Sequence, residues 1–222
     1  MSSVSNDSSV PRIGLFGGTF DPVHFGHLRP AVELAERFAL DRLHLVPNHR
    51  PVHRGPARAS TDHRIAMLRL ATGNTDNLVV DTREALRDEP SFTFDSLNDV
   101  RAENPGATLI FFMGLDAFAQ FDTWHNWQDI LTIANLVVIG RPGAAHSQFS
   151  AELMSTQRTN CGSKIRNSHS GVIEECDVTQ LAISATDIRR RIGKELTVRF
   201  LLPEPVSEYI VENRLYCESS LL

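Results

Sequence analysis

A short apolar run, Ile13-Gly-Leu-Phe16, ends in the pair Gly17-Gly18. Apolar residues then recur at helical spacing from Gly26 to Phe38 (Leu28, Ala31, Val32, Leu34, Ala35 and Phe38). A second run, Leu43-His-Leu-Val46, closes on Pro47. Strand, helix and strand within about 35 residues make a βαβ unit, whose crossover forces the two strands to run parallel.

The alternation continues along the chain. Ser60 or Thr61 caps a helix from Asp62 to Ala71, and Leu78-Val-Val80 reads as a strand. The pattern predicts a helix over Thr93 to Arg101, a strand over Thr108 to Met113, a helix over Trp127 to Ile133 and a strand over Leu136 to Ile139. A late strand begins at Val172-Ile173, Ser184 caps a helix running to Ile192, and a terminal helix spans Glu204 to Leu215 after Pro203. Gln148 to Gly171 is polar and poorly patterned, a loop or an exposed helix. The expected class is α/β: an open, mostly parallel, doubly wound Rossmann-like sheet with helices on both faces. Met1 to Val10 is rich in Ser, Asn and Asp, so residues 1–11 are expected to be a flexible tail and 12–222 a single domain.

Composition narrows the function. With 22 Lys and Arg against 27 Asp and Glu the net charge is −5, unlike the basic balance of a protein that coats nucleic acid. No apolar run approaches the ~18 residues of a membrane span, and no leader pattern opens the chain. Cys161, Cys176 and Cys217 are odd in number and widely spaced, which fits reduced thiols in the cytoplasm rather than a disulfide framework or a zinc site. Among the basic residues only Lys164 and Lys194 are lysine, so any phosphate clamp is built from arginine forks or the composition is simply biased.

Ligands of open α/β sheets bind beyond the carboxyl ends of the strands. There the first strand gives way to Gly17-Gly18-Thr19-Phe20-Asp21-Pro22-Val23-His24-Phe25-Gly26-His27. Glycines let backbone approach a ligand, and the helix N-terminus that follows favours an anion. The loop is neither GxGxxG nor GxxxxGK[ST], which argues against an NAD-dependent dehydrogenase and a Walker A site. His24 and His27, three apart at a helix start, share a face and can donate to phosphate oxygens. A zinc pair lacks an evident third ligand, and packing histidines are the other alternative. Ile183-Ser184-Ala185-Thr186-Asp187-Ile188-Arg189 offers hydroxyls at a second helix start, with Arg189 one turn inside. A capping serine with a surface arginine is the plainer reading of that segment taken alone.

Together GGTFDPVHFGH and ISATDIR resemble the (H/T)xGH and ISSTxxR motifs of the nucleotidyltransferase superfamily. Pro47-Asn48, Pro51-Val52-His53-Arg54, His63 to Leu68, Ser91-Phe92-Thr93, Met113-Gly114-Leu115-Asp116, Phe121-Asp122-Thr123-Trp124, Arg141-Pro142-Gly143 and Leu202-Pro203 follow in the order of bacterial nicotinate-nucleotide adenylyltransferases, which the chain resembles from about Arg12 to Tyr216. Against that pattern Val52 replaces a proline, Phe92 and His125 each replace a tyrosine, and Ala185 replaces a serine.

The resemblance implies an enzyme of NAD biosynthesis. ATP and nicotinate mononucleotide give nicotinate adenine dinucleotide (deamido-NAD) and pyrophosphate, with Mg²⁺ carried by ATP and no metal site built from protein ligands. It implies that His24, His27 and Arg189 are catalytic, and that Gly17, Gly18, Thr19, Phe20, Gly26, Gly114, Asp116, Ser184 and Thr186 bind ATP. Asn48, His53, Arg54, Thr93, Trp124, His125 and Arg141 would bind the mononucleotide. The mononucleotide phosphate would attack in line, without a covalent enzyme intermediate. A related adenylyltransferase acting on phosphopantetheine or nicotinamide mononucleotide, and a nucleotide sensor without turnover, are the rival functions. Partners are small-molecule nucleotides, with no nucleic acid and no membrane; monomer and homo-oligomer both fit.

Overall fold

The computed structural model describes residues 10–49, 56–73, 75–87, 90–140, 153, 165 and 168–217. Its strands are β1 (Arg12–Gly18), β2 (Arg42–Pro47), β3 (Leu78–Val80), β4 (Thr108–Gly114), β5 (Asn135–Ile139) and β6 (Ile173–Cys176). They form one six-stranded sheet in the order β3-β2-β1-β4-β5-β6. Every neighbouring pair is parallel, as the first βαβ unit requires. The helices are α1 (Phe25–Arg37), α2 (Thr61–Thr72), α3 (Thr93–Glu103), α4 (Leu115–Phe118), α5 (Trp127–Ile133), α6 (Ala185–Gly193) and α7 (Glu204–Glu212).

Side chains alternate across the strands, so each strand feeds two cores. Leu43, Leu45, Ile110, Phe112, Val137 and Ile139 pack on one face with Leu28, Ala31 and Leu34 of α1, Met67 and Leu68 of α2, Ile188 of α6 and Val206 and Ile210 of α7. Ile13, Leu15, Leu109, Phe111, Met113, Leu136 and Val138 pack on the other with Leu97 and Val100 of α3, Leu115 and Phe118 of α4 and Ile130 of α5. Strand β1 lies between β2 and β4, so successive connections leave it in opposite directions. That reversal lies at the carboxyl ends of β1 and β4, where Gly17-Gly18 and Gly114 stand, the place at which open α/β sheets take their ligands.

The structure departs from the sequence pattern at the short elements. Single 3-10 turns at Arg83–Leu86 and Phe121–Thr123, and the four-residue α4, are too brief to leave a periodic signal. The terminal helix ends at Glu212 rather than Leu215. Asn213 Nδ2 takes the carbonyl of Tyr209 at 2.9 Å and the Leu215 N–H takes that of Ile210 at 3.0 Å, while Arg214 and Tyr216 turn through φ 50 and 64. Residues 1–9 of the expected tail, and most of the polar stretch 148–171, lie outside the described residues. At the tail's end the Pro11 carbonyl already accepts from Thr108 N–H at 2.8 Å. Among the described residues no helix is long and apolar enough to cross a membrane.

Candidate active site

The loop after β1 folds back on itself around Phe20. This residue is buried at φ 49, and a Cβ on Gly18 would come within 2.8 Å of its ring. Phe20 meets His27 edge-on with centroids 5.1 Å apart, and His27 stacks on His24 at 3.8 Å with 26° between planes. The expected pair at the start of α1 is therefore present as a face-to-face stack. His24 occupies the N-cap, yet its side chain makes no capping bond. Burial pushes its imidazole down to about 4, so it stays neutral near pH 7, and its Nδ1 has no hydrogen-bond partner among the described residues. Two stacked imidazoles cannot both be charged at that distance without strong repulsion, which agrees with a neutral His24.

A methyl on Gly26 would lie 2.9 Å from His24 Nδ1 and 3.1 Å from the carbonyl of Ile183. The missing side chain lets the second motif pack directly against the first. Ser184 caps α6, accepting from Asp187 N–H at 3.2 Å. Arg189 reaches back to the loop: Nη1 donates to the Asp21 carbonyl at 2.5 Å and Nη2 to Thr186 Oγ1 at 3.3 Å. The plainer reading of α6, a cap with a surface arginine, is half right. The cap is made, and the arginine is committed to the loop after β1.

Two buried polar residues support the loop from behind. Arg64 of α2 is 1% exposed and donates to the Thr19 carbonyl at 2.8 Å and to Thr61 Oγ1 at 2.9 Å. Asp21 is 4% exposed and accepts from Arg58 N–H at 2.7 Å, Ala59 N–H at 3.1 Å and Tyr216 Oη at 2.8 Å.

Across the sheet order, Asn48 N–H donates to the Gly18 carbonyl at 2.9 Å, which sets the end of β2 beside the loop. Gly114 caps α4, with Asp116 in its first turn. Thr93 opens α3. Trp124 is half-buried and packs edge-on against Phe111 (6.1 Å) and Phe121 (5.7 Å), so part of the ring belongs to the core. His125 is exposed and stacks on Phe92 with centroids 4.4 Å apart. His53, Arg54 and Arg141 lie outside the described residues.

The comparisons with known proteins agree with this geometry. Residues 15–191 match the cytidylyltransferase-like family. A Pseudomonas paraeruginosa protein named "probable nicotinate-nucleotide adenylyltransferase" is 45% identical over 208 residues, covering 92% of this chain and 97% of that protein. The chain belongs to the nicotinate-nucleotide adenylyltransferase family. A Cellvibrio japonicus member of the same name is 43% identical, with 93% and 99% covered. The solved Plasmodium falciparum nicotinic acid mononucleotide adenylyltransferase complexed with NaAD is only 16% identical, yet it shares the fold at TM-score 0.72 over 93% of this chain and 97% of that one.

For a member of this family, the sequence motifs left three residues without a role. Arg64 and Asp21 lie within the matching segments but carry no role of their own there. The third is Glu84, buried after β3, whose carboxyl is pushed up chiefly by burial. It accepts from Ser96 Oγ at 3.2 Å and also interacts with the Ser91 hydroxyl and the His49 N–H, tying the end of β2 to the turn before α3. The sequence carries one signal for Asp21: a carboxylate inside a glycine-rich loop that becomes buried needs protein donors to be tolerated there.

Proposed function

We propose that the chain transfers the adenylyl group of ATP to nicotinate mononucleotide by direct in-line attack. An oxygen of the mononucleotide phosphate forms a bond to the α-phosphorus, the bond to the β-phosphate oxygen breaks, and pyrophosphate leaves. Nicotinate adenine dinucleotide is the other product, and no covalent enzyme intermediate forms. The observation that carries this reading is the stacked His24–His27 pair at the start of α1 with Arg189 brought onto the same loop from α6. Such a step needs positioning and charge neutralisation rather than a side-chain nucleophile. His27 and Arg189 supply donors where negative charge develops, and the N-termini of α1 and α6 add their dipoles.

In this reading Gly17, Gly18, Thr19, Phe20 and Gly26 admit the ATP phosphates. Ser184 and Thr186 form the opposite wall, and Gly114 and Asp116 meet the adenylate ribose. Asn48, His53 and Arg54 take the mononucleotide phosphate, Thr93 and Trp124 hold the pyridine, and His125 and Arg141 also bind the mononucleotide. Mg²⁺ arrives on ATP. Among the described residues no group of three or more His, Cys, Asp or Glu side chains is arranged to hold a metal. Residues 12–222 act as one domain, in the cytoplasm.

Pyrophosphate release with ATP tests the reading. Nicotinate mononucleotide is expected to be used well in preference to the nicotinamide form, and His27→Ala to lower kcat roughly 10²-fold while leaving the protein folded. Equal use of both mononucleotides would sink the account of carboxylate recognition. Normal turnover by His27→Ala would remove His27 from the mechanism.

A further inference from the structure

The loop that is to receive ATP phosphates contains a buried carboxylate, Asp21, 4% exposed. An anion there works against a polyphosphate unless the protein has neutralised it and given it a task. Both of its oxygens are covered. Oδ2 accepts from Arg58 N–H at 2.7 Å; Oδ1 accepts from Ala59 N–H at 3.1 Å and from Tyr216 Oη at 2.8 Å. Arg189 Nη1 lies 3.7 Å from Oδ2 and donates to the carbonyl of the same residue at 2.5 Å. One residue thus gathers the loop after β1, the stretch before α2, the arginine of α6 and the chain after α7.

These partners differ in what they do. The two backbone N–H groups and the tyrosine hydroxyl hold the carboxylate still. Arg189 is the member with the longest side chain and so the one with most rotamer freedom to lose when it is pinned. Its other fork nitrogen donates to Thr186 Oγ1 at 3.3 Å, a long bond at the exposed rim. A fixed anion beside the guanidinium restricts it to the loop before ATP arrives, so less ordering remains for the reaction itself.

We propose that Asp21, fastened by Tyr216, is the positioning residue that holds Arg189 over the phosphate loop, so the C-terminal turn acts on the reaction through Arg189. This rests on the role given to Arg189 under Proposed function.

The test is a double-mutant cycle on kcat with ATP and nicotinate mononucleotide, with thermal unfolding of every variant. Arg189→Ala alone is expected to lower kcat roughly 10²-fold. In the intact background Tyr216→Phe is expected to lower kcat about 3–10-fold and Asp21→Asn about 30-fold or more, with KM for the mononucleotide within twofold. In the Arg189→Ala background both substitutions are expected to change kcat less than about twofold, because the group they position is gone. The same fold-loss in both backgrounds would overturn the proposal, since Asp21 and Tyr216 would then act on the loop rather than through Arg189. Unchanged kcat in Arg189→Ala alone would overturn the reading of Arg189 itself, a result distinct from additivity. Should Asp21→Asn not fold, Tyr216→Phe carries the cycle.

Discussion

His24 shows how one side chain couples the chemistry of the site to the stability of the fold. Burial holds its imidazole at about 4 against 6.5 for an ordinary histidine. Below pH 6.5 the unfolded chain takes up a proton that the folded one refuses until about pH 4. Stability contributed by the neutral ring is therefore whole above 6.5 and is lost as pH falls through that window. Glu84, raised by burial, works in the opposite sense over part of the range, and Asp81, held down to about 2 beside His44 and Arg83, gives way only at lower pH. Comparison with a variant isolates the histidine. Urea unfolding between pH 7 and 4.5 is expected to show a loss on the order of 2 kcal/mol in the native protein that is absent from His24→Gln. Parallel curves for the two proteins would show that His24 is not the group that titrates. Phe92 and His125 make the same point about context. Each departs from the family pattern singly, but the two rings stack on each other at 4.4 Å, so the two departures form one contact.

At the scale of elements, Gly26 decides how two of them meet. Alanine is the better helix former by about 1 kcal/mol, so Gly26→Ala should help α1 considered alone. Its methyl, however, would stand 2.9 Å from His24 Nδ1 and 3.1 Å from the Ile183 carbonyl. Backbone does not yield cheaply, so the histidine stack or the approach of α6 must shift. Gly26→Ala is expected to lower kcat at least tenfold while moving Tm by only a few degrees; a variant with full kcat would show that the close packing of the two motifs is dispensable. The long elements were legible in the sequence because their apolar residues form runs or repeat: the helix after Gly26 and the strand from Thr108 stand where the pattern put them. The two motifs proposed to form the site stood out because glycine, histidine and a capping serine have few other reasons to cluster so. What the sequence hid was tertiary. Arg64 reads as a charged residue in an amphipathic helix, and nothing local says that it is 1% exposed beneath Thr19. Tyr216 ends the match with no role, because its partner lies 195 positions earlier in the chain. Single turns such as Arg83–Leu86 carry Glu84 but hold too few residues for any period to show.

For the whole molecule, the sheet divides the site between its two faces. His24, His27 and Arg189 stand on α1 and α6, which pack on one core. Thr93 stands on α3 and Trp124 beside α5, which pack on the other. Both layers flank the carboxyl ends of the strands, where Asn48 N–H binds the Gly18 carbonyl and β1 lies between β2 and β4. The proposed in-line transfer between two nucleotides suits this division: in that reading each layer would hold one substrate, and the rigid sheet would set the distance between attacking oxygen and α-phosphorus. The layers should then be separable by mutation. A ligand that binds only the folded state stabilises it by about 2.7 kcal/mol at a concentration of 100 Kd, so each nucleotide alone should raise Tm in the native protein. In Trp124→Ala, ATP is expected to raise Tm as before, while nicotinate mononucleotide loses most of its effect, in keeping with the ~1–3 kcal/mol a base-stacking platform contributes. Arg189→Ala is expected to show the reverse. If Trp124→Ala weakens both ligands equally, its edge-on contacts with Phe111 and Phe121 are what matter, and the indole braces the core instead of facing the pyridine.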